Sequence, residues 1–175
     1  SVAYVDLPVV TKTYSAPNVA LADMPGGQWD KLPMEQYRAH NWHCFQESSR
    51  QPYASIYTSL NCPYQCSFCM ISTPFRAGDL LKTGKEGVNL YRCWSVGAII
   101  KELETLVEKY GVTNIKIADE MFTLRPSHVL PLCHEIIERG WGDKLNFWAY
   151  GRVDTLKDEF LDIMRRAGVK WMCLG

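Results

Sequence analysis

The sequence predicts a parallel α/β sheet in which helices connect successive strands. Two observations carry this. From Tyr53 onward the apolar residues alternate between strand-like and helix-like spacing, strand then helix, through to Leu174. The polar, chemistry-bearing side chains also fall just after strands: a cysteine cluster after the first, Asp119-Glu120 after the second, Arg152 and Asp154 after the third. In parallel α/β folds, sites gather at the carboxyl ends of the strands.

The elements follow in order. Ala54, Ile56, Thr58 and Leu60 alternate as one face of a strand. Residues 61–94 are irregular, with Cys, Gly and Pro but no sustained period. Ser95 is placed to cap a helix bearing Val96, Ile99, Ile100, Leu103, Leu106 and Val107, and Gly111 closes it. Ile115 and Ile117 mark a second strand. Ser127 is the expected cap of a second helix, with Val129, Leu130, Cys133, Ile136 and Ile137 inside and Gly140 after it. Residues 145–150 form an aromatic-rich strand. Thr155 and Asp158 resemble a capping box opening a third helix over Leu156, Phe160, Leu161, Ile163 and Met164. Residues 169–174 are a fourth strand. This order implies right-handed crossovers. Residues 1–52 differ: Pro8, Pro17, Pro25, Pro33 and Pro52 punctuate them, and the pair Gly26-Gly27 adds a turn. Trp29, Leu32, Tyr37, Trp42 and Phe45 nevertheless predict ordered packing, so the stretch is expected to be an irregular connector. The division expected is therefore 1–52 and 53–175.

Composition narrows the function. The chain of 175 residues is 47% hydrophobic and carries 19 basic against 19 acidic residues. A balanced charge offers no field for nucleic acid or an anionic membrane. No apolar run approaches the roughly 20 residues that span a bilayer, and Ser1–Tyr4 do not begin a secretion signal. The chain has seven cysteines, an odd number, with Cys62, Cys66 and Cys69 in one short loop. That pattern argues against a disulfide framework and for metal binding in a reducing, cytoplasmic setting.

Cys62, Cys66 and Cys69 have the spacing C-x3-C-x2-C. Thiolates are the usual ligands of a [4Fe–4S] cluster. Three local cysteines leave one iron open to a substrate or cofactor. Two other readings stand beside this one. Cys93, Cys44 or a histidine would close the fourth corner of an electron-transfer cluster. A zinc module would also use cysteines, although it usually pairs two short Cys units, and one is present here. Cys133 and Cys173 are expected to be core residues. His40 and His43 sit among connector aromatics and are read as structural.

The cysteine loop resembles the motif of the radical S-adenosylmethionine (SAM) superfamily, with Phe68 in its aromatic position. The likeness covers the loop, the βα order after it and the polar strand ends, about residues 53–175. It implies a partial TIM-type (β/α) barrel, truncated here after the fourth strand. It also implies a [4Fe–4S] cluster on Cys62, Cys66 and Cys69 whose open iron chelates SAM. Reductive cleavage of SAM would then give a 5′-deoxyadenosyl radical. Asp119 and Glu120 stand where the family often has Gly-Gly-Glu near the SAM amino group. Arg152 would meet the SAM carboxylate or the cluster's charge, and Phe68 would lie beside the adenine. Residues 29–43, with residues 119–122 and Arg152–Asp154, resemble the cobalamin-dependent branch. That branch implies a cobalamin-binding domain upstream and methylation of an unactivated carbon, or oxidative cyclisation. The substrate would be a small molecule or natural product, and the reductant a flavodoxin or ferredoxin. The branch's Asp-x-His-x-x-Gly cobalt motif does not occur in this sequence. As the front half of such a domain, the chain is expected to expose a sheet edge and apolar helix faces.

Overall fold

A computed structural model of the chain describes residues 20–21, 24–40 and 50–175. Its main sheet has four parallel strands in sequential order: β1 (Tyr53–Ile56), β4 (Asn114–Ile117), β5 (Asn146–Gly151) and β6 (Val169–Leu174). A second, antiparallel pair joins β2 (Ser59–Leu60) to β3 (Arg92–Cys93). Four helices connect these strands: α1 (Arg76–Thr83), α2 (Val96–Glu104), α3 (Pro126–Glu138) and α4 (Asp158–Arg166). The parallel α/β class is therefore the one expected.

Strand alternation divides the sheet into two faces. Ala54, Ile56, Ile115, Ile117, Phe147 and Ala149 point to the helices and pack with Ile99, Leu103, Leu132, Ile136, Phe160 and Met164 in one apolar core. Burying each such aliphatic or aromatic side chain contributes about 1.5–3 kcal/mol. The opposite face carries Ser55, Lys116, Trp148, Tyr150 and Trp171, none of them fully buried. Lys116 Nζ lies 4.8 Å from the Trp148 ring centre and 5.2 Å from that of Tyr150. Toward the amino ends of the strands, Asn146 donates to Asn114 at 2.8 Å and Asn114 to Gln51 at 2.9 Å, an amide ladder across the sheet.

Several boundaries differ from expectation. The predicted first strand breaks in two, because the amide of Thr58 is drawn to the Asp119 carboxylate instead of continuing the ladder. The irregular stretch hides α1 and β3. Ser95 caps α2 as expected, its hydroxyl accepting the Ala98 amide at 3.2 Å. Ser127 does not cap α3; the helix starts one residue earlier on Pro126, whose fixed φ and missing N–H suit a first turn. Thr155 does not open α4 either. Its hydroxyl bonds the Arg152 carbonyl at 2.9 Å and the Thr123 hydroxyl at 2.6 Å, and α4 begins at Asp158.

Residues 27–30 pack against α2 and the turn that follows it. Glu102 accepts the Gly27 amide and the Trp29 indole N–H, each at 2.9 Å, and Asp30 pairs with Lys109 and Tyr110. Trp42, His43, Cys44 and Phe45 lie outside the described residues, as do residues 1–19.

Candidate functional site

At the carboxyl end of the sheet is an open cavity of about 540 Å³. Three strand ends and the cysteine loop build its wall: Glu120 after β4, Arg152 after β5, Cys173 on β6, and Cys62, Cys66, Phe68 and Cys69 on the loop. Every residue predicted for the site therefore reaches one place.

The cysteines are not bridged to each other. Cys62 and Cys66 are half-buried, and Cys69 is exposed. Burial pushes the Cys62 thiol up, and the neighbouring Cys69, Cys66 and Glu120 add to that shift. Among the described residues, no three His, Cys, Asp or Glu side chains converge tightly enough to chelate a single ion. A cubane takes one thiolate at each of several corners and so accepts a wider set.

Glu120 is half-buried, and its Oε2 has no hydrogen-bond partner among the described residues. Burial raises its pKa, and the Asp119 charge adds to this. A buried carboxylate oxygen left unpaired is costly, so it is suited to a cationic ligand group. Asp119 is different. Its carboxylate accepts the Thr58 amide at 2.6 Å, the Thr58 hydroxyl at 2.5 Å and the Ser59 hydroxyl at 2.6 Å. It has no exposed surface. Burial raises its pKa against the pull of these donors. Asp119 lines the cavity, but its side chain is used in fastening the residues before the cysteine loop to the end of β4.

Arg152 makes a bidentate pair with Asp154, at 2.9 and 2.7 Å, and lies 4.4 Å over the ring of Tyr64 in the cysteine loop. The Asp154 pair raises the guanidinium's pKa further, and Arg152 lowers that of Asp154. Phe68 is 89% exposed at the cavity rim. Cys93 does not line the cavity; it pairs with Ser59 across the small sheet, and its thiol faces Arg125 at 3.9 Å. Cys133 is core, its thiol pushed up to about 12 by burial. Cys173 is not core as expected. It is exposed on the open sheet face, because β6 turns it toward the cavity.

Sequence inspection passed over His128, Thr58 and Asn61. His128 is buried, with Nε2 3.0 Å from the Thr58 hydroxyl. The Thr58 hydroxyl donates to Asp119, which leaves its oxygen to accept the imidazole N–H of His128. Only the polarity of His128 within an apolar helix face marked it.

No family model matches the chain. An uncharacterized methyltransferase of Pyrococcus horikoshii is 28% identical over 87% of this chain and 28% of its own length. The anaerobic magnesium-protoporphyrin IX monomethyl ester cyclase of Cereibacter sphaeroides is 26% identical over 99% of this chain and 25% of its own. The chain thus spans about a quarter of the curated relatives it matches. Among solved structures, the radical SAM methyltransferase TsrM of Kitasatospora setae, with tryptophan and a SAM analogue bound, superposes with a TM-score of 0.57. That match is 23% identical and covers 70% of this chain and 21% of TsrM. TsrM has also been solved with cobalamin and a [4Fe–4S] cluster. In sequence the chain is similar to this methyltransferase and this cyclase, and over 70% of its length it shares the TsrM fold.

Proposed function

We propose that this chain is the front half of a radical SAM catalytic domain, residues 53–175, preceded by a connector over residues 1–52. Cys62, Cys66 and Cys69 would hold a [4Fe–4S] cluster. The observation that supports this best is that Cys62, Cys66, Cys69 and Glu120 line one cavity, and that Glu120 Oε2, itself buried, has no partner among the described residues. When bound, the cluster supplies the electron that splits the sulfur–C5′ bond of SAM.

The chain's own residues bind and orient. The Glu120 carboxylate would receive the SAM ammonium. Asp119 would hold β4 against the loop and offer only backbone to the ligand. Arg152, fixed by Asp154 and stacked on Tyr64, would keep a positive charge beside the cysteine loop and the SAM carboxylate. Phe68 would close over the adenine and exclude water. Cobalamin, bound mainly outside this chain, would serve methylation of an unactivated carbon on a small molecule, with flavodoxin or ferredoxin as reductant in the cytoplasm. No helix among the described residues is long and apolar enough to cross a membrane. Oxidative cyclisation is the second reading, favoured by the alignment of 99% of this chain with a quarter of the magnesium-protoporphyrin ester cyclase.

The test is anaerobic reconstitution of the full-length protein with iron and sulfide, followed by reduction in the presence of SAM and methylcobalamin. 5′-Deoxyadenosine or S-adenosylhomocysteine is expected by mass spectrometry from the wild type and not from Cys66→Ala. Equal yields from both proteins would refute the assignment.

A further inference from the structure

The cysteine loop begins on an unusual backbone. Asn61 has φ 71°, the one non-glycine residue in the left-handed region among the described residues, and it has no exposed surface. Asn tolerates this region better than most side chains. Its amide is used at both ends. Oδ1 accepts the Cys62 N–H at 2.8 Å, while Nδ2 donates to Asp79 Oδ2 and to the Leu90 carbonyl, each at 3.1 Å.

Asp79, on α1, is fully buried and does not line the cavity. It also accepts the Leu90 amide at 3.0 Å and pairs with Arg92 of β3. The same stretch grips the loop twice more: Asn89 Nδ2 donates to the Tyr64 carbonyl at 3.1 Å, and Gln65 donates to the Gly87 carbonyl. A buried ion pair is a weak source of stability, since apolar residues of similar volume do as well. What this pair adds is a fixed anchor for Asn61, and through Asn61 a fixed backbone at Cys62.

We propose that Asp79 is a positioning residue for Cys62, acting through Asn61, so that the first thiolate is aimed before the cluster arrives. This rests on the cluster assignment above. Groups that orient a metal ligand from behind typically change metal affinity 10- to 100-fold when removed. The open corner of the cluster depends on all three thiolates being in place, so loosening Cys62 should alter the whole centre.

The experiment uses full-length protein, reconstituted anaerobically, as wild type, Asp79→Asn and Asn61→Gly. Asn61→Gly keeps the left-handed backbone and removes all three side-chain hydrogen bonds. Three quantities are read: the rate of iron loss to a chelator, the paramagnetic resonance spectrum of the reduced cluster, and the melting temperature of the iron-free protein. Both variants are expected to lose iron at least about tenfold faster with an altered spectrum, and both to melt lower than the wild type without iron, since each leaves buried polar groups short of a partner; Ile136→Ala, a core variant away from the cavity that also melts lower, is expected to keep wild-type iron loss and spectrum. Wild-type iron loss and spectrum in both variants would overturn the proposal. So would iron loss from Ile136→Ala as fast as from the two variants, which would make cluster loss a matter of global stability. A wild type that takes up no cluster strikes the cluster assignment itself, a separate and recognisable result.

Discussion

At the scale of single residues, two buried aspartates do different work from the carboxylate that faces the cavity. Asp119 was legible in the sequence as a polar group after a strand, but not as a fastener. Its direction depends on Thr58 and Ser59, which are far away in the chain. Thr58→Val would leave Asp119 and His128 each short of a partner. Unsatisfied buried groups lose about 1–3 kcal/mol apiece, so denaturant unfolding of the full-length protein should show a loss in that range or above. His128 adds a pH dependence. Burial, then Arg125, lowers its pKa from 6.5. A depressed histidine stabilises the fold above its unfolded pKa, and that contribution is lost as pH falls through the folded value. Asp119 acts oppositely, because its raised pKa favours the fold at low pH. Subtracting the melting curve of His128→Gln from that of the wild type should therefore leave a stability difference that shrinks as pH drops below 6.5. A difference independent of pH would remove the histidine from this account. That the three cysteines of the loop gather on one cavity was readable from their spacing. Cys173 was misjudged because strand alternation does not say which face is the open one.

At the scale of elements, the long helices and parallel strands followed from periodicity, and the short pieces did not. α1 has Gly78 and Asp79 in its first turn, poor helix formers, and is held by the buried Asp79 contacts rather than by propensity. β2 and β3 are two-residue strands, too short for any period to register. Glycine positions separate close packing from simple spacing. At Gly168, φ is 93° and an added Cβ would stand 2.5 Å from the Leu145 carbonyl oxygen. Gly168→Ala should destabilise by about 1–3 kcal/mol or more. Gly97 is exposed in α2 with open space around it. There, Gly97→Ala should stabilise by about 0.5–1 kcal/mol. Thermal melts of the two variants should move in opposite directions, and a shared direction would contradict the packing described.

At the scale of the whole molecule, the fold class could be derived from the βα alternation because each helix must cover the same sheet face. What covers the other face could not, since the residues there are neither clearly apolar nor clearly polar. β1 and β6 are the outer strands, and on β6 Trp171 is 56% and Leu174 47% exposed. Unpaired edges with exposed apolar side chains invite association. These 175 residues alone should associate with rising concentration in sedimentation velocity. A monomer throughout would show that the edge is protected.

The central claim is that three thiolates hold a cluster with one iron open to SAM. Electron paramagnetic resonance on reduced, reconstituted full-length protein, with and without SAM and beside a Cys93→Ala variant, tests it most directly. SAM is expected to change the cluster signal, and Cys93→Ala to keep it. A signal indifferent to SAM and abolished in Cys93→Ala would mean a closed four-cysteine centre made for electron transfer.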